Sequence, residues 1–187
     1  MQEMAYIMLT NICGGGIKIL CPPYKEPNGE NCYWSRGNGW ALAALVRIMD
    51  VMPSHAPHRN EYMATYLEMI RAIIPLQRAD GFWNASLKDP THFGGMETSG
   101  TALFTYGIAW GINKGVISKK TYLPVVVKAW NAMVKQAVHA DGFLGYMQGT
   151  GKEPKDGQPV TYNSKPDFED YGLGCFLLAG SEVYKMK

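Results

Sequence analysis

The densest run of chemistry-bearing side chains is Tyr33-Trp34-Ser35-Arg36-Gly37-Asn38-Gly39-Trp40. Two tryptophans six residues apart, with an arginine two residues after the first, supply an aromatic wall beside a guanidinium. The C–H faces of a sugar pack on indole, and Arg36 can fork onto a carboxylate with two parallel hydrogen bonds, so Trp34, Arg36, Asn38 and Trp40 suit an acidic sugar. The glycines are expected to let the backbone turn tightly ahead of a helix. The same residues fit a second arrangement equally well, with both indoles in the core and Arg36 in a buried structural pair.

A second polar cluster, Gly95-Met96-Glu97-Thr98-Ser99-Gly100-Thr101, precedes an apolar segment, and Thr98 or Ser99 is expected to cap a helix there. An acid near the positive end of a helix needs no further role, although Glu97 is also a candidate general acid and Ser99 a candidate sugar contact. A third cluster holds Asp167, the other candidate acid, with Asp170 and Tyr171. Asp80-Gly81 and Asp141-Gly142 read as turns, the aspartate satisfying local donors and the glycine supplying positive φ. Gly149-Thr150-Gly151 lacks the Lys-Ser/Thr of a phosphate loop. His55, His58, His92 and His139 lack metal-helix spacing, and Cys13, Cys21, Cys32 and Cys175 lack CxxC spacing. Free, mostly buried thiols and no metal site are expected.

The elements that position these clusters repeat. Asp80-Gly81-Phe82 recurs as Asp141-Gly142-Phe143, an offset of 61 residues, and the same offset carries Gly39-Trp40-Ala41-Leu42 onto Gly100-Thr101-Ala102-Leu103. A third copy begins at Tyr171-Gly172-Leu173-Gly174. Helical periodicity predicts helices over about 40–52, 58–78 with a kink at Pro75, 98–112, 119–139 with Pro124 near the first turn, and 171–185. Segments 40–52, 98–112 and 171–185 are poor in charge and read as inner helices. Segments 58–78 and 119–139 carry Glu61, Glu68, Arg71, Lys120, Lys128 and Lys135 and read as outer ones. The expectation is an all-α fold of antiparallel helical hairpins in one domain over residues 1–187, with 1–33 irregular. At about 60 residues per hairpin the chain holds about three, half of a ring of six. Such an arc leaves apolar flanks at both ends, so self-association or a missing N-terminal half is expected to cover them. If the inner helices all start at one rim, the three clusters share a cleft.

Composition narrows the partners. The 187 residues carry 18 Lys plus Arg against 16 Asp plus Glu, a formal net charge of +2 that gives no field for a nucleic acid. Apolar residues make up 47% and charged ones 18%, which excludes a disordered chain, and no uninterrupted apolar run is long enough to span a membrane. No secretory leader is visible, which leaves the compartment open between cytoplasm and periplasm.

These residues resemble the unsaturated glucuronyl and rhamnogalacturonyl hydrolases, glycoside hydrolase families 88 and 105. The resemblance begins near Tyr24-Lys25-Glu26-Pro27-Asn28-Gly29. It runs through Trp34 to Trp40, Gln77 with Asp80 to Trp83, Glu97 to Gly100 and Asp141-Gly142, and ends in Gly174-Cys175-Phe176-Leu177-Leu178-Ala179-Gly180-Ser181-Glu182. It implies a six-hairpin α/α toroid that acts on oligosaccharides ending in a 4,5-unsaturated uronic acid, with no metal or organic cofactor. An aspartic acid protonates the enol-ether double bond at C4, water adds at C5, and the resulting hemiketal rearranges to release the sugar. By resemblance Trp34, Arg36 and Trp40 contact that sugar. The family's acid lies upstream of this motif, and residues 1–33 contain no Asp. The chain is therefore expected to carry part of the cleft and to be inactive or nearly so alone. The alternatives are a non-catalytic binder of acidic oligosaccharide, a subunit of a split enzyme, or an enzyme recruiting Glu97 or Asp167.

Overall fold

The computed structural model describes residues 25–150, 156–164 and 169–186. Five helices organise them: α1 (Ser35–Val51), α2 (Arg59–Ile73), α3 (Thr98–Asn113), α4 (Lys119–Gln136) and α5 (Glu169–Lys185). The described residues contain only isolated bridges of extended structure, Trp34 with Ser86, Trp83 with Glu97 and Val138 with Leu144.

The inner and outer assignment holds. α3 is buried from Thr98 to Ile112, sandwiched between α1 and α5. All three run in the same direction. Ser35 meets Glu97 at one end of the α1–α3 pair while Asp50 takes the Trp110 ring N–H at 3.0 Å near the other. Asn113 donates to Glu182 at the far end of α5. α2 returns in the opposite sense on the outside, its Tyr66 hydroxyl donating to the Gly107 carbonyl at 3.0 Å. α4 does the same for the next hairpin and stacks Trp130 on Phe176 of α5. An inner helix surrounded by others needs no polar face, whereas α2 exposes Glu61 and Arg71 and α4 exposes Lys120, Lys128 and Lys135.

Glycine sets how closely the inner helices approach. A Cβ on Gly39 would lie 2.8 Å from the Leu103 Cβ, and one on Gly107 would lie 2.5 Å from a Leu42 methyl. Here the sequence expectation is corrected. Gly37 and Gly39 do not form a turn before the helix; they lie inside α1, which begins at Ser35, and Gly39 is the socket for Leu103. The other boundaries shift for local reasons. α2 ends at Ile73 and passes into a 3-10 turn, Ile74–Leu76, that accommodates Pro75 at its start. Pro124 lies inside α4, just past its first turn.

The two Asp-Gly turns form as expected. Asp80 accepts from the Phe82 N–H at 3.0 Å and Asp141 from the Phe143 N–H at 3.0 Å, with Gly81 and Gly142 at φ +100° and +87°. Cys32 and Cys175 are free thiols, while Cys13 and Cys21 lie outside the described residues. The arc leaves an apolar stripe on each end: Trp40, Ile48 and Val51 on α1, and Leu173, Leu177 and Tyr184 on α5. No described helix is long and apolar enough to cross a membrane.

Candidate functional site

The rim where α1, α3 and α5 begin is held by the segments that precede them. Ahead of α1, the Ser35 N–H donates to the Ala85 carbonyl at 2.8 Å and the Leu87 N–H to the Tyr33 carbonyl at 2.9 Å. Buried Glu26 anchors this crossing by accepting from the Ser86 hydroxyl at 2.8 Å and pairing with the His92 ring. Burial first, then a hydrogen bond and like charge from Glu26, pushes the Cys32 thiol pKa up. The start of α3 is tied across the rim by Thr98, whose N–H and hydroxyl donate to the Tyr146 and Gly145 carbonyls, each at 2.8 Å.

Glu97, rather than Thr98 or Ser99, caps α3. One carboxylate oxygen accepts from the Ser99 N–H at 2.9 Å and the Ser99 hydroxyl at 2.6 Å. The other accepts from the Gly100 N–H at 2.7 Å and the Ser35 hydroxyl at 3.3 Å. Fully buried and facing four donors, Glu97 serves as the cap and as the link between α1 and α3.

The candidate sugar contacts gather beside this cap. Arg36 is only 5% exposed and its guanidinium carbon sits 4.2 Å from the centroid of the Trp34 ring. Burial draws the Arg36 pKa below its ordinary value, opposed by negative groups around it, among them Glu97 and Asp156. The two expected indoles differ in exposure. One face of Trp34 is occupied by Arg36, and the indole open to solvent is Trp40, 43% exposed and 6.3 Å from the Tyr171 ring. The Tyr171 hydroxyl lies beside Ser99, and burial is the main reason its pKa is raised. Asn38 is buried one turn behind, its amide donating to the Trp34 carbonyl at 2.8 Å while its own carbonyl oxygen has no partner. The structure thus brings Trp34, Arg36, Ser99 and Tyr171 together, with Trp40 joining through Tyr171. Asp167 lies outside the described residues.

Sequence reading missed Gln148. It is fully buried, accepts from the Trp34 ring N–H at 2.8 Å and donates to the Asp156 carbonyl at 3.0 Å. Its main-chain oxygen accepts from the Tyr171 hydroxyl. Nothing in its neighbourhood is periodic, so the only signal was a glutamine ahead of Gly149-Thr150-Gly151. Among the described residues no three His, Cys, Asp or Glu side chains are grouped to hold a metal ion.

The family model described as Glycosyl Hydrolase Family 88 matches residues 22–187. An unsaturated 3S-rhamnoglycuronyl hydrolase of Formosa agariphila is 39% identical over 163 residues, 87% of this chain and 41% of that protein. One from an Alteromonas species is 40% identical over 159 residues, 85% of this chain and 37% of that protein. Among solved structures, a family 88 glycosyl hydrolase from Bacteroides vulgatus superposes with a TM-score of 0.82 at 42% identity, covering 89% of this chain and 47% of its own. A possible family 105 member from Salmonella enterica does so with a TM-score of 0.68 at 25% identity, covering 87% and 43%. The chain spans less than half the length of these relatives, and the arc of hairpins is about half of their helical toroid.

Proposed function

Since the chain belongs to Glycosyl Hydrolase Family 88, whose members here are unsaturated glycuronyl hydrolases, we propose that it supplies the uronide-holding rim of such an enzyme. The observation that carries this reading is the buried Arg36 guanidinium seated on Trp34 beside the exposed Trp40 and Tyr171. A guanidinium already stripped of most of its water gains more from a carboxylate than an exposed one does, because less solvent competes for its donors. Trp40 then offers the apolar face for the sugar ring. The likeness to two 3S-rhamnoglycuronyl hydrolases favours a 4,5-unsaturated uronide linked to rhamnose as the substrate class.

The chemistry assigned to the whole enzyme is hydration of the double bond, which calls for a positioned general acid. Glu97 is engaged as a helix cap, which supports the reading that the acid is not among the described residues of this rim.

Binding and turnover test the two halves of the proposal. The chain is expected to bind an unsaturated uronide disaccharide, and Arg36→Ala to weaken it by about 1.5–3 kcal/mol while a neutral disaccharide changes little. Equal loss for both ligands refutes the carboxylate contact. The ultraviolet absorbance of the unsaturated bond is expected to persist in the presence of the chain alone. Its decay, abolished by Glu97→Gln, would instead make Glu97 the acid.

A further inference from the structure

We propose that Gln148 is the positioning residue of this rim, fixing Trp34 by its ring N–H and Tyr171 by its hydroxyl so that Arg36 and Trp40 are presented together. The inference rests on the uronide reading above.

The argument starts from what each aromatic ring lacks. Trp34 is half-buried and precedes α1, with Arg36 and Gly37 of that helix against its ring. Those contacts are apolar or face-on, and the ring's one polar atom adds a directional anchor through the 2.8 Å bond to the Gln148 side-chain oxygen. The angle of that ring determines where Arg36 rests, because the guanidinium lies over its face. Tyr171 belongs to α5, the other end of the arc, and its hydroxyl reaches the main-chain oxygen of the same residue. Tyr171 in turn neighbours Trp40. Gln148 therefore touches both ends of the arc and, through the Asp156 carbonyl, the 156–164 loop.

Its side-chain amide uses both of its polar atoms. The oxygen accepts from Trp34 and the nitrogen donates to Asp156, so the orientation of the amide is determined by its partners. Burial makes the arrangement stiff, since a rotated amide would place donor against donor where no water compensates. Gln148 contacts the ligand-holding residues rather than the ligand.

The test is a double-substitution cycle in the 187-residue chain, using a 4,5-unsaturated glucuronyl-rhamnose disaccharide as the probe. Gln148→Met keeps the side-chain size and removes both polar atoms, while Trp34→Phe keeps a ring and removes its N–H. Each alone is expected to weaken binding by roughly fivefold to tenfold, and the two together by no more than the worse of them. Losses that multiply overturn the proposal, because they would mean that Gln148 acts by general support and not through Trp34.

A second readout needs no ligand. The Trp34 indole N–H resonance, assigned by its disappearance in Trp34→Phe, is expected to shift in Gln148→Met while the remaining indole resonances stay in place. If Gln148→Met does not fold, the unsubstituted chain decides: a Trp34 N–H exchanging with solvent as a free indole does would overturn the proposal. Failure of the uronide reading looks different, as absence of uronide binding by the unsubstituted chain. Binding with multiplying losses leaves that reading standing and removes Gln148 alone.

Discussion

Gly100→Ala puts the packing of α1 on α3 to a quantitative test. In an ordinary helix interior the exchange gains about 0.8–1 kcal/mol, because alanine loses less backbone entropy on folding. At Gly100 the added Cβ would stand 2.6 Å from the Ser35 hydroxyl oxygen and 2.9 Å from the Ser35 main-chain carbon. A main-chain carbon cannot rotate away, so the first turn of α1 has to back off α3 by roughly half an ångström or more, at an overpacking cost of about 1–3 kcal/mol. The retreat also stretches the Ser35 to Glu97 hydrogen bond, already 3.3 Å long, which is worth about 1 kcal/mol. The net is a loss of about 1–2 kcal/mol, or a fall in Tm of roughly 2–8 °C for a domain of this size. Gly174→Ala is the matched control. Gly174 sits in α5 with nothing within 4 Å of its would-be Cβ, so the helix gain is unopposed and Tm should rise by roughly 1–4 °C. Thermal melts of the two variants beside the parent decide the matter, and a Gly100→Ala that gains stability as Gly174→Ala does would refute the close approach.

Two further outcomes are expected. Cys175 is buried and its thiol pKa is pushed up to about 12, chiefly by burial and then by the charge of Glu97, so a disulfide reagent at neutral pH should label it only after unfolding. Peptide mapping after brief labelling checks this, and rapid native-state modification of Cys175 would contradict it. Asp80 gives a pH dependence. Burial alone would raise its pKa, but the Arg78 guanidinium and the Phe82 N–H outweigh it and hold the carboxyl below its ordinary value. A depressed folded value contributes stability that is complete above the unfolded pKa and is lost as pH falls through the folded one. Urea midpoints measured through the acid range should therefore fall less steeply for Asp80→Asn than for the parent, and parallel curves would remove Asp80 from the account.

Much of the architecture was legible because two independent signals agreed. The 61-residue offset and the apolar spacing both mark α1 and α3 as equivalent elements, and the contrast in charge separates them from α2 and α4. The Asp-Gly turns were legible because their hydrogen bonds are local in sequence. What escaped depends on contacts between distant residues. Gly39 looks like a turn former until Leu103 is seen filling the space beside it. The seating of Arg36 over Trp34 and the bond from that ring to Gln148, 114 positions away, are likewise contacts that no local pattern announces. Glu97 stood next to two hydroxyl residues that cap helices more often, and only the extended backbone at Glu97 gives it the role.

The burial of α3 from Thr98 to Ile112 bears on how the molecule opens. Every residue from Thr98 to Ile112 is buried, so deuterium uptake at the amides from the second turn onward should wait for cooperative loss of the whole assembly. The open sides of α1 and α5 carry no such protection, and exchange there should proceed through smaller fluctuations. The middle helix then serves as an internal gauge of global stability, against which the looseness of either end can be measured.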